Sequence, residues 1–167
     1  RTFTKTTLNG VVHESTSTFY DALGRISDVM GIGFWLQYEY DAVGNRTHIS
    51  AEYTPNVINP ASQNLWYNYD QMNRVTVSQG VNVGGVVQAD VTVGQGDTFT
   101  QGTILAYDAR GLRTSATTYG DRIDVSDPLN SAGYSRYAKD VTTDSYEYDG
   151  LGRLLKRKSS ARHQIVG

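Results

Sequence analysis

An all-β fold of repeated antiparallel hairpins follows from three features of the sequence: a Tyr-Asp turn motif that recurs five times, a surplus of strand-forming residue types, and no helical periodicity. Threonine (18), valine (16) and tyrosine (12) supply 46 of the 167 residues. Their branched or flat side chains fit a pleated surface better than a crowded helix. No segment of ten or more residues keeps a 3.6-residue apolar period, so essentially no helix is expected.

The motif places Tyr20, Asp21, Gly24 and Arg25 in the first copy, and Tyr38, Tyr40, Asp41, Gly44 and Arg46 in the second. Tyr67, Tyr69, Asp70, Asn73 and Arg74 form the third, and Tyr107, Asp108, Gly111 and Arg113 the fourth. Tyr146, Tyr148, Asp149, Gly152 and Arg153 form the fifth. Tyr-x-Tyr puts two rings on one face of a strand, because side chains alternate with period two. The aspartate opens a four-residue turn, where its carboxylate accepts the turn's own N–H groups. Four residues after the tyrosine a type I turn needs a left-handed residue to rejoin the ladder, and glycine stands there in four copies. Asn73, the non-glycine type that tolerates this conformation best, fills the place in the third. The arginine that follows begins the returning strand, within reach of an acidic neighbour. The tyrosines on successive hairpins are expected to pack against one another across strands, in preference to lining a surface for an unfolded polypeptide or a sugar.

The last tyrosines of the copies stand at 20, 40, 69, 107 and 148, so the period stretches along the chain. Twenty residues suit two strands and two turns, and the longer intervals must hold an extra hairpin or an exposed loop. Asn9-Gly10 and Gly84-Gly85 read as two-residue hairpin turns, and Asn56 to Pro60 and Ser126 to Gly133 as loops. Strands are expected near 2–8, 11–20, 25–30, 34–40, 46–53, 65–69, 74–79, 86–93, 103–107, 113–119, 141–148 and 153–158. Residues 1–158 then form one sheet segment with repeats near 19–30, 38–50, 67–78, 105–116 and 146–157, followed by a basic tail, 159–167.

With a net charge of −2 and a pI near 5.9, the chain has no general attraction for nucleic acid or anionic membrane. No apolar stretch is long enough to span a bilayer. Charge is uneven: all 17 acidic residues and 10 Lys/Arg lie in 1–150, while Arg153, Lys156, Arg157, Lys158 and Arg162 make a basic end. That end reads as a solvated face ahead of a polyanion contact. Cysteine is absent, which removes disulfides, thiolate metal sites and a cysteine nucleophile. The chain opens on Arg1 without a signal segment, so its start reads as an excised boundary within a larger parent.

No chemistry-bearing constellation emerges. His13, His48 and His163 lie far apart, which favours a surface or strand-face role over metal binding. Asp121, Asp124 and Asp127 recur every third residue in an expected loop, without the alternating ligands and late glutamate of an EF-hand. Gly94-Gln95-Gly96 and Gly31-Ile32-Gly33 lack the lysine or following helix of a phosphate site and read as loop or bulge glycines.

The five copies resemble the YD-repeat, or Rhs (rearrangement hot spot), family, whose pattern is Tyr-x-Tyr-Asp-x-x-Gly-Arg or Gly-Asn-Arg; the resemblance covers residues 19 to 158. It implies a long antiparallel sheet that spirals into a hollow shell. In bacterial Rhs and Tc-type toxins such a shell encloses a toxin, and in animal teneurins a similar barrel takes part in cell-surface adhesion. The function it implies here is structural, a shell segment that encloses or displays another polypeptide, with a carbohydrate-binding or adhesion module as the alternative. The implied partners are the remainder of the parent shell and its enclosed polypeptide, with a glycan under the alternative. No cofactor, metal or catalytic role is expected, and the implied setting is a secreted or cell-surface bacterial protein. Asp127-Pro128-Leu129-Asn130 begins like the family's self-processing Asp-Pro-x-Gly segment, but asparagine replaces the glycine and a further repeat follows.

Overall fold

Runs of threonine, valine and tyrosine bounded by glycine, asparagine and aspartate become strands, each closed onto the next by a short turn. The computed structural model describes residues 2–8, 11–53, 61–89, 102–125 and 136–166. Among these residues there are twelve antiparallel strands and no helix. The chain divides into two units, Arg1–Trp66 and Tyr67–Gly167.

In the first unit β1 (Thr2–Leu8), β2 (Val11–Tyr20), β3 (Ile26–Gly31), β4 (Phe34–Tyr40), β5 (Arg46–Tyr53) and the first part of β6 (Ala61–Tyr69) pair in sequence order. In the second unit, the end of β6 leads into β7 (Val75–Val83), β8 (Val86–Gln88), β9 (Thr103–Tyr107), β10 (Arg113–Val125), β11 (Arg136–Tyr148) and β12 (Leu154–Val166). Here β7 serves two partners. Val77 and Ser78 pair with β9, while Val81 to Val83 pair with β8 through the expected Gly84-Gly85 turn, at φ +60° and +88°.

Several strands outrun their expected lengths because the neighbouring strand supplies hydrogen bonds that polar residues then accept. β12 passes through the expected tail, with Ser159, Ser160 and Ala161 opposite Asp144, Thr143 and Thr142 of β11. β10 likewise extends to Val125, so Asp121 and Asp124 lie in a strand and not in a loop. In contrast, β8 stops at Gln88. Ala89 then tucks in, 2% exposed, and a Cβ on Gly102 would stand only 2.6 Å from its Cα. Asn9-Gly10, 56–60, 91–93, Gly94-Gln95-Gly96, 126–133 and with them Asp127 and the Asp-Pro segment lie outside the described residues.

One register recurs wherever successive Tyr-Asp hairpins join. The residue seven after one turn aspartate faces the residue four before the next: Asp28 faces Gln37, His48 faces Trp66, Val77 faces Ile104 and Ser115 faces Ser145. The added length in the longer intervals lies in sequence between the two members of each pair. Among the described residues Ala89 and Val141 are the buried apolar side chains, so packing rests on cross-strand neighbours within a single layer.

Candidate functional site: the tyrosine–aspartate turns

Each copy of the motif closes the same hairpin. The aspartate N–H donates to the carbonyl four residues on, and its own carbonyl accepts from the N–H three residues on, as at Asp21 with Arg25 (2.8 Å) and Gly24 (3.0 Å). The expected left-handed residue is present in all five: φ is +78° at Gly24, +100° at Gly44, +60° at Asn73, +88° at Gly111 and +81° at Gly152. One carboxylate oxygen, Oδ1, then accepts two backbone N–H groups. Asp70 Oδ1 takes those of Met72 (2.9 Å) and Arg74 (3.0 Å), and Asp21, Asp41, Asp108 and Asp149 repeat the arrangement. The turn's inward N–H groups are thereby satisfied without water.

The second carboxylate oxygen, Oδ2, holds a side chain. Nε–H of Arg25, Arg74 and Arg153 donates to Oδ2 of Asp21, Asp70 and Asp149 at 2.7, 2.6 and 2.6 Å. These are charge-assisted contacts at the short end of the usual range. Arg46 and Arg113 stand one position later. Asn45 Nδ2–H serves Asp41 at 2.9 Å, and Arg110, from inside the turn, serves Asp108 at 3.0 Å. Sequence reasoning missed both residues. Asp-x-Arg at 108–110, with Leu112 in the usual arginine place, was the available signal.

The same guanidinium groups reach the next turn. Nη1–H of Arg25, Arg74 and Arg110 donates to the backbone carbonyl of Asp41, Asp108 and Asp149 at 3.2, 3.3 and 2.8 Å. Arg25 and Arg74 also lie over the Tyr40 and Tyr107 rings, at 4.5 and 4.7 Å from the centroids. The tyrosine returns a bond. The hydroxyls of Tyr40, Tyr107 and Tyr148 donate to the carbonyls of Ile26, Val75 and Arg113 at 2.8, 3.0 and 2.9 Å, in each case five residues after the preceding aspartate. The result within each unit is a ladder in which one turn grips the next.

Arg46 and Arg113 have a different place, over the rings of Tyr38 and Tyr146 at 5.5 and 4.8 Å. Where tyrosines were expected to pack on one another, four of them therefore carry guanidinium groups, which the negative ring face attracts. Tyr67 and Tyr69 stand on β6, and Tyr20, at the end of β2, is exposed. Among the described residues His48 is the buried polar one, stacked on Trp66 with centroids 3.8 Å apart. Its Nδ1 and Nε2 lie 3.2 Å from Glu39 Oε1 and 3.1 Å from Asn64 Oδ1.

All five turn carboxylates are held below the ordinary aspartate value of 3.8. At Asp21, Asp70, Asp108 and Asp149 the main cause is the backbone N–H four residues on, which favours the anion. At Asp41 partial desolvation pulls upward most strongly, and the Asn45 amide with the backbone N–H groups outweighs it. Arginine adds coulombic help at the other four.

Antiparallel hairpins stacked through Tyr-Asp turns define a hairpin-repeat β-protein. In fold the chain is similar to the crystal structure of TcdB2-TccC3, with a TM-score of 0.57 and 20% identity, over 91% of this chain and 8% of that one. This chain thus spans under a tenth of the length of that protein. No protein-family model and no curated protein matches the sequence.

Proposed function

We propose that this chain is a segment of a YD-repeat shell whose work is mechanical: to enclose or display another polypeptide, a bacterial toxin in a secreted or cell-surface system. The observation that carries the reading is the turn ladder. At the Asp21–Asp41 and Asp70–Asp108 junctions a guanidinium, a ring and a tyrosine hydroxyl join one hairpin to the next, a link that can repeat from hairpin to hairpin. The likeness in fold to TcdB2-TccC3 supports it. In this reading the motif aspartates organise backbone and are not acids or bases of a reaction, because both oxygens of each are committed to the turn. The partners are the rest of the shell and its enclosed polypeptide, and no cofactor is needed.

The test is protease protection in the parent protein. Expressed whole, it should yield a segment that resists digestion while the shell is intact and is cleaved once the shell is opened with denaturant. A parent in which no segment is protected sinks the reading. Reproducible glycan-array binding that is lost on Tyr20→Ala would replace it with the carbohydrate-binding alternative.

A further inference from the structure

Strand alternation sorts the cations of β12. Arg157 falls on one face with Asp144 and pairs with it at 2.8 Å, and Arg153 is held at 2.6 Å by its own turn's Asp149. Lys156, Lys158 and Arg162 fall on the other face, opposite Glu147, Ser145 and Val141 of β11. All three are exposed, and among the described residues none of them has an ion pair or a hydrogen bond. Same-face neighbours along a strand stand about 6.7 Å apart, so the two lysines are one such step from each other, and Ser160 and Arg162 continue the line. Thr143 faces Ser160, and its hydroxyl meets that of Thr117 on β10 at 3.1 Å. Among the described residues Glu147 is the acid on this face of β11 and β12. An unpaired ammonium is too costly to bury alone, so it stays with water or with an anion whatever else packs beside the strand.

We infer that this face of β11 and β12 binds a linear sulfated polysaccharide laid along the strands, through Lys156, Lys158 and Arg162 with the hydroxyls of Ser145 and Ser160. The inference goes beyond the shell reading, does not depend on it, and uses none of the motif tyrosines. A sulfate ester brings a fixed charge and three acceptor oxygens, which ammonium and hydroxyl groups side by side both serve. The sugar between sulfates brings hydroxyls of its own. Other polyanions fit the face less well. A single-stranded nucleic acid needs rings on which its bases stack, and the pairs Glu147 with Lys156, Ser145 with Lys158 and Thr143 with Ser160 hold none. An anionic bilayer needs apolar side chains beside the cations, and these pairs hold none either. An acidic polypeptide draws its affinity from main-chain pairing with an open edge, whereas a sheet face offers side chains only.

A heparin decasaccharide titrated into the full chain should bind in dilute salt, and the amide NMR signals that move should be those of Ser145 and Lys156–Ser160. The same decasaccharide stripped of its sulfates should not bind. Lys156→Gln, Lys158→Gln and Arg162→Gln should each weaken binding about fivefold and lower its dependence on salt. Ser145→Ala with Ser160→Ala, which removes no charge, should weaken it about threefold and leave the salt dependence as it was. Arg157→Gln removes the same charge from the opposite face and should leave affinity unchanged, with the amide spectrum checking that β12 is still paired. Absence of binding to the sulfated sugar overturns the inference, as do amide shifts centred elsewhere. So do equal losses from Arg157→Gln and Lys158→Gln, or no loss from the two serine changes. Polyglutamate of matched charge or oligothymidylate binding as tightly as heparin overturns it too, since the face would then read charge and not sulfate.

Discussion

The turn at Asp70 takes its guanidinium from Arg74, four residues on and already in the returning strand, whereas the turn at Asp108 takes it from Arg110, two residues on and inside the turn. Both end in the same circuit, a carboxylate oxygen on one side and the next turn's carbonyl on the other. Leu112, in the vacated place, lies beside the next turn, where a Cβ added to Gly152 would stand 3.5 Å from Leu112 Cδ1. What the fold requires is a guanidinium at one point in space between two turns, and more than one sequence position reaches it. The difference is in shielding, since Arg110 is about twice as exposed as Arg74, and Arg74 lies over the Tyr107 ring.

The largest effect expected from breaking this comparison lies in the backbone that both turns share. Asn73→Val and Gly111→Val should each cost about 1–2 kcal/mol, because a β-branched residue resists the left-handed region. Asn73→Gly and Gly111→Asn should change stability by only about 0.5 kcal/mol. A urea titration with unchanged slope measures each. Equal losses from Gly111→Val and Gly111→Asn would mean that steric strain at φ +88° is not what selects glycine there.

Next come the two arginines. Arg74→Ala removes the Tyr107 ring contact, about 0.5–1 kcal/mol at an exposed site, on top of the links to Asp70 and Asp108. Arg110→Ala should cost less. The double change Arg110→Ala with Leu112→Arg moves the guanidinium to the place it occupies in the Asp70 turn, and should recover part of the loss. No recovery would show that a guanidinium at position 112 does not reach the point that Arg110 occupies. Tyr107→Phe, which loses only the hydroxyl bond to Val75, should cost about 0.5–1.5 kcal/mol.

Much of this was legible in the sequence because a turn is a local object. Tyrosine, aspartate and glycine at fixed spacing specify it, and Asn73 confirms the left-handed place. The arginine was harder. A rule of position after glycine selects Arg46 and Arg113, which lie over Tyr38 and Tyr146, and misses Arg110 and Asn45, because a guanidinium reaches one point from several backbone positions. The constant register between hairpins was hidden by the stretching period, since the added residues stand in sequence between the two members of each register pair. His48 reads in sequence as an isolated histidine. Only that register brings it opposite Trp66.

The smallest effect separates the Asp70 and Asp41 turns by what holds their carboxylates. Both are depressed below 3.8, so each contributes stability that is fully present above that value and is lost as pH falls through the lower folded value. Asp70 is held by the Arg74 backbone N–H, the guanidinium bond and a coulombic attraction, whereas the Asp41 carboxylate is held by the Asn45 amide and backbone N–H groups, the neighbouring Arg25 guanidinium bonding its backbone carbonyl instead. Salt near 1 M shortens the screening length to about 3 Å and weakens the coulombic part alone. Asp70 should then titrate at a higher pH than in dilute buffer, and its contribution should begin to fail earlier on acidification. Asp41 should hardly move. Carbon-detected NMR of the two carboxyl groups between neutral pH and strong acid, at low and high salt, measures both. Equal salt shifts at the two sites would show that arginine contributes to the turn through hydrogen-bond geometry and not through its charge, which would make Asn45 a full substitute for Arg74.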